Sequence, residues 1–135
     1  MAFYSDTPQA LQPGFALQDG SAINAALAAG GESVASGIVA TGTTLASAFA
    51  LKAAINQVAT AAASTGVALS DLAPGYSQTV FNAGVSTLTV YAPNGITIDT
   101  VAGATGVPLS AAARCRYTCV APGVVISALL GAVSA

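Results

Sequence analysis

Residues 65–99 constrain the fold most strongly, because apolar and polar side chains alternate there with the period of a β-strand. The apolar members of the alternation are Leu88, Val90, Ile96 and Ile98. The turn Pro93-Asn94-Gly95 separates the two halves, and Asn-Gly is a strong hairpin signal because both residues tolerate a positive φ. The stretch therefore predicts short strands with one buried face.

The rest of the chain predicts further short strands, separated by turns rich in glycine, proline and serine. Together with the strands 67–69, 76–81, 87–91 and 96–99 within residues 65–99, strands are expected at 37–40, 45–51, 55–60, 107–109, 112–120 and 124–130. The alanine-rich residues 45–63 also suit a helix by intrinsic propensity, but their alternation favours two strands. Some eight to ten short strands at this spacing are typical of a small β-sandwich or jelly roll, so we expect a mainly β fold.

The N-terminal region has a different character from the predicted β-domain. We assign residues 1–36 to an extended arm and one short helix, and residues 37–135 to the β-sandwich domain. The helix is expected over 22–29, where Ile23 and Leu27 form a narrow apolar stripe. The arm has three aromatic residues that are candidate partner contacts: Phe3, Tyr4 and Phe15. Two alternatives are equally open, since the arm packs either on a neighbouring subunit or on its own core.

The composition excludes several classes of function. Only 6% of the 135 residues are charged and the net charge is −2, whereas a typical soluble domain has roughly 25% charged residues. A chain with no basic footprint is not expected to bind nucleic acid. Its apolar runs are shorter than the ~20 residues of a spanning helix or are interrupted by polar residues, so no membrane association is expected. So few charges favour a protein that works inside an assembly.

No residues with the spacing of a catalytic or metal site are found. The five carboxylates lie beside Gly, Ser or Thr, where hydrogen bonds to the backbone are their usual role. The chain has no histidine, so the usual nucleophile–base pair is absent. Cys115 and Cys119 would lie ~13 Å apart on one strand, too far for a disulfide, and are expected to be buried free thiols. We therefore predict a protein that is not an enzyme and needs no metal or cofactor.

Arg114 and Arg116 are the most informative charges. On the predicted strand they share the outward face, ~7 Å apart. One interpretation is a solvated face on which Asp99 neutralises them. The other is an ion pair with a neighbouring subunit or with an acidic patch on a partner, because the forked guanidinium matches carboxylates.

Five motifs carry a resemblance to a known family. In order they are TAAASTGVAL from Thr60, Pro74-Gly75, VFNAG from Val80, TLTVYAP from Thr87 and GITID from Gly95. This order resembles the small β-domains of tailed-bacteriophage virion proteins, over roughly residues 45–130. One departure is that the last strand has Val124-Val-Ile-Ser where such domains often have an aromatic residue.

The resemblance implies a structural role in the virion. It implies a capsid decoration (cement) protein, a homo-oligomer and specifically a trimer, that bridges major capsid subunits on the outer capsid surface. Such a protein is made in the host cytoplasm during assembly. The alternative is a head-fibre, tail-fibre or spike component that binds the host surface.

Overall fold

The computed structural model describes residues 32–132, which form eleven β-strands and contain no α-helix. The predicted arm contacts Phe3, Tyr4 and Phe15 and the predicted helix at 22–29 lie outside the described residues. The strands are β1 (Val34–Val39), β2 (Phe49–Ala50), β3 (Ile55–Thr60), β4 (Gly66–Ala68), β5 (Ser77–Asn82), β6 (Leu88–Tyr91), β7 (Thr97–Ile98), β8 (Val101–Ala102), β9 (Val107–Leu109), β10 (Ala113–Ala121) and β11 (Val124–Ala132). The prediction of a mainly β fold is confirmed.

The first six strands alternate between two sheets. Strands β1, β3 and β5 are parallel neighbours in a seven-stranded sheet, and β2, β4 and β6 are parallel neighbours in a four-stranded sheet. Each pair of consecutive strands is thus one coil: β1 and β2 form coil 1, β3 and β4 coil 2, and β5 and β6 coil 3. Stacked parallel coils of this kind make a short β-solenoid.

Antiparallel strands follow the third coil in both sheets. In the smaller sheet β9 pairs with β6, and in the larger sheet β10 pairs with β5 and then with β11. Strand β7 lies parallel to the start of β11, and β8 pairs antiparallel with β7. The larger sheet therefore has the order β1-β3-β5-β10-β11-β7-β8.

The expected jelly roll is wrong in its strand pairing. Jelly rolls are built from antiparallel strands, whereas the stacked coils here pair in parallel. The turn before Ile96 shows why. The Ile96 amide donates to the Pro93 carbonyl at 3.1 Å, but β6 pairs with β4 and β9, while β7 pairs with β8 and β11. The Asn94-Gly95 turn moves the chain from one sheet to the other, so the predicted hairpin does not form.

The region that also suited a helix, 45–63, contains strands β2 and β3. The predicted strand over 45–51 is reduced to Phe49–Ala50, because the Ser47 and Ala48 amides donate to the Thr44 carbonyl in a turn. Strand β3 places Val58 in the core with 0% exposure. Packing therefore outweighs the helix propensity of alanine.

One core lies between the two sheets. Ladders of inward side chains build it from strand to strand, as in the row Val67, Val90 and Val107 of the smaller sheet. Val67 and Val90 are fully buried, each contributing about 1.5–3 kcal/mol relative to an exposed position. Close packing at Tyr91 requires a glycine on each side. A Cβ at Gly66 would lie 2.5 Å from the ring, and one at Gly106 would lie 2.9 Å from it.

Three amide side chains are buried in this core: Asn56, Gln78 and Asn82. Asn82 donates to the Ser86 and Leu109 carbonyls at 2.9 and 3.0 Å and accepts from the Gly84 amide at 3.0 Å. Buried polar groups are stable when they are hydrogen-bonded in this way. Asn82 thus joins the end of β5 to the loop after it and to β9.

Candidate interaction surface

Strand β10 positions the two candidate arginines on one side of the larger sheet. Its side chains alternate strictly: Cys115, Tyr117 and Cys119 are buried, and Arg114 and Arg116 are exposed. The predicted strand and the predicted orientation of both arginines are confirmed. Both guanidinium groups are therefore on the side of the sheet that faces away from the core.

The register of the larger sheet brings side chains from five strands together around these arginines. Arg116 lies in a row that runs across Val34, Ile55, Thr79 and Ala128. We call the whole surface the outer face: Val34, Ile55, Gln57, Ser77, Thr79, Phe81, Arg114, Arg116, Thr118, Ile126 and Ala128. None of these residues is acidic, so the outer face is an apolar and hydroxyl-rich surface with two positive charges at its centre.

Phe81 positions one of the two arginines. It lies opposite Arg114 in the register of β5 and β10, and the Arg114 guanidinium carbon is 5.6 Å from the centre of the ring. A cation–π contact of this kind is worth about 0.5–1 kcal/mol at an exposed site. The contact with Phe81 holds the Arg114 guanidinium over the sheet. The forked donors of Arg114 and Arg116 remain available to carboxylates.

The alternative in which Asp99 neutralises the arginines is not supported by the hydrogen bonds of that carboxylate. Asp99 lies at the turn between β7 and β8, where one carboxylate oxygen accepts from the Ser127 amide at 2.8 Å and the other accepts from the Ser127 hydroxyl. These bonds attach the β7–β8 turn to β11. The carboxylate thus has a structural role at the edge of β11.

The two cysteines lie beneath the outer face, as predicted. Both Cys115 and Cys119 are free and buried, with Tyr117 between them. Burial raises the pKa of the Cys115 thiol and also the pKa of the Tyr117 hydroxyl. The raised pKa disfavours the reactive thiolate of Cys115. Both cysteines are buried and free, so they act as small core residues.

An open groove of about 400 Å³ lies where the turns between coils meet. Its buried amide side chain already has partners: Gln78 donates to the Ala53 carbonyl at 2.9 Å and accepts from the Ser70 amide at 2.8 Å. Lys52, Asp71 and an exposed tyrosine, Tyr76, line the groove at its rim. The inner part of the groove is therefore a structural network, and only the rim offers unused side chains.

Residues 32–132 show neither a metal-binding cluster nor a membrane-spanning helix. They contain no group of three or more His, Cys, Asp or Glu side chains placed to hold a metal ion. They also contain no helix long and apolar enough to cross a membrane.

Comparisons with protein-family models, with curated proteins and with solved structures find no match to this chain. The outer face and the sequence motifs are therefore the features that bear on function.

Proposed function

We propose that this chain is a non-enzymatic structural virion protein that decorates a phage capsid and bridges major capsid subunits through its outer face. The observation that carries the proposal is the pair Arg114 and Arg116 at the centre of a surface without carboxylates. The resemblance of the β-motifs to phage virion domains supports the setting. In it, the protein lies on the outer capsid surface after assembly in the host cytoplasm, and copies of the chain also contact one another.

The geometry suggests how such a surface binds. The outer face spans five strands, and each arginine can form two parallel hydrogen bonds with a carboxylate of the capsid. Contacts of this kind that are weak in one copy add up when symmetry repeats them, because each bound copy raises the effective concentration of the next contact. Subunits bridged in this way separate only after the decoration is removed.

The proposal is tested with the variant Arg114→Ser/Arg116→Ser. Purified capsids that lack the protein are mixed with the wild type or the variant, and occupancy is measured by gel densitometry of the washed particles. We expect the concentration needed for half occupancy to rise at least about tenfold, since removing one partner of a charged pair weakens binding by that much or more.

The matched control is Lys52→Ser, which removes the one other positive side chain of the sequence. Lys52 lines the groove and is not part of the outer face. We expect its half-occupancy concentration to stay near that of the wild type. Full occupancy by the double arginine variant at wild-type concentrations would refute the role of the outer face.

A second candidate function is host-surface binding by a fibre or spike component, favoured by Tyr76. Tyr76 is 67% exposed and lines the same groove as Asp71. An exposed aromatic face beside hydrogen-bonding groups suits a saccharide. If this function is correct, Tyr76→Ala abolishes binding to host cells while the double arginine variant binds them normally.

A further inference from the structure

Strand β11 has an edge with few partners in the described part of the chain. Along this edge β7 pairs only with Val124 and Val125, and the Asp99 side chain bonds the Ser127 amide. On its other edge β11 pairs with β10 as far as Ala132. Residues 128–132 therefore extend past β7 with one strand edge open among the described residues.

The backbone at this edge is arranged to accept another strand. The Ser127 amide points away from β10, and in an antiparallel pair every second residue points the same way. The amide of Leu129 therefore points to the open edge too. An unpaired edge with this pattern is a template for a further strand.

The side chains at this edge lack the features that normally protect an edge strand. From Val124 to the end of the chain there is no charged residue and no proline, although charges and prolines are the usual protection. Leu129 is 66% exposed on one side of the ribbon and Leu130 is 48% exposed on the other. The edge thus offers backbone groups and apolar side chains on both of its faces.

We propose that this edge binds the same edge of a second copy of this chain, so that two β11 strands pair antiparallel about a two-fold axis. A two-fold axis makes identical strands antiparallel automatically, which continues the antiparallel run of β5, β10 and β11. Because the segment is uncharged, two copies meet without like-charge repulsion, and the leucines of each copy cover those of the other. This pairing gives a dimer instead of the trimer implied by the resemblance, and it does not depend on a virion role.

The test measures the association of the full-length protein by sedimentation equilibrium over a range of concentrations. We expect the wild type to dimerise and Leu129→Lys to raise the dimer dissociation constant at least about tenfold, because two lysines then face each other across the axis. The matched control is Val85→Lys, at a side chain that is 93% exposed in the loop after β5. It adds the same charge and should dimerise like the wild type.

A second variant separates strand pairing from contacts between side chains alone. Leu129→Pro removes the amide that points to the open edge but keeps the pairing of β11 with β10, so we expect it to weaken the dimer as well. The near-ultraviolet circular dichroism of the buried tyrosines Tyr91 and Tyr117 verifies that each variant is folded. A wild type that stays monomeric, a trimer, or a dimer unaffected by Leu129→Lys would each overturn the proposal.

Discussion

Replacing Asn82 with alanine removes a buried side chain that joins three parts of the fold. Asn82 is fully buried, and its amide makes hydrogen bonds to Gly84, Ser86 and Leu109. Each hydrogen bond contributes about 1 kcal/mol net, and truncation also takes its Asn82 partner from the buried Leu109 carbonyl. We therefore expect the free energy of unfolding to fall by about 3 kcal/mol for Asn82→Ala.

Urea denaturation followed by far-ultraviolet circular dichroism measures this loss. With a slope of about 2 kcal/mol per molar urea, the midpoint should fall by about 1.5 M. The matched control is Asn94→Ala, an exposed asparagine in the turn before β7, for which a change within about 0.5 kcal/mol is expected. A loss below about 1 kcal/mol for Asn82→Ala would refute the reasoning, because it would mean that the buried bonds do not hold β9 against β5.

Three further predictions concern the backbone, the pH and the thiols. Thr100 has φ 139° in the β7–β8 turn, a backbone conformation that favours glycine. Thr100→Gly should therefore raise the free energy of unfolding by about 1 kcal/mol. The control Thr97→Gly, within β7, should lower it by about 0.5–1 kcal/mol. Burial raises the pKa of the Tyr117 hydroxyl above its ordinary value of 10.0. The stability that the neutral hydroxyl contributes is therefore present below about pH 10 and is lost as the pH rises further. Tyr117→Phe should reduce this alkaline loss of stability in urea titrations at several pH values. Cys115 and Cys119 are buried, so a thiol reagent should modify them only in urea, and rapid modification of the folded protein would contradict this placement.

Strand positions were predictable from the sequence because alternation is a local property. The alternation around Tyr117 gave both the position of β10 and the side on which each residue lies. Strand pairing was not predictable in the same way, because a period of two residues does not say which strand is the neighbour. Val34, Ile55 and Thr79 lie in one row of the larger sheet, one from each coil. Self-similarity of the sequence at a fixed period is the signal that predicts a solenoid, whereas alternation alone does not.

The outer face could be predicted only in part, because the sequence does not give the strand pairing. The shared outward face of Arg114 and Arg116 followed from their spacing, whereas the contact with Phe81 depends on the register of β5 and β10. The buried amides were also missed. A polar residue in a strand is normally expected on the solvent side, and Asn82 is buried only because backbone groups from a distant strand meet it there.

The most direct test of the proposed decoration role is the copy number of this protein in purified virions. The intensity of its band is compared with that of the major capsid protein after separation of the particle proteins on a gel. A ratio near one copy per major capsid subunit, or a simple fraction of it set by symmetry, is the result that a shell decoration predicts. A handful of copies per particle, or none, would contradict that role.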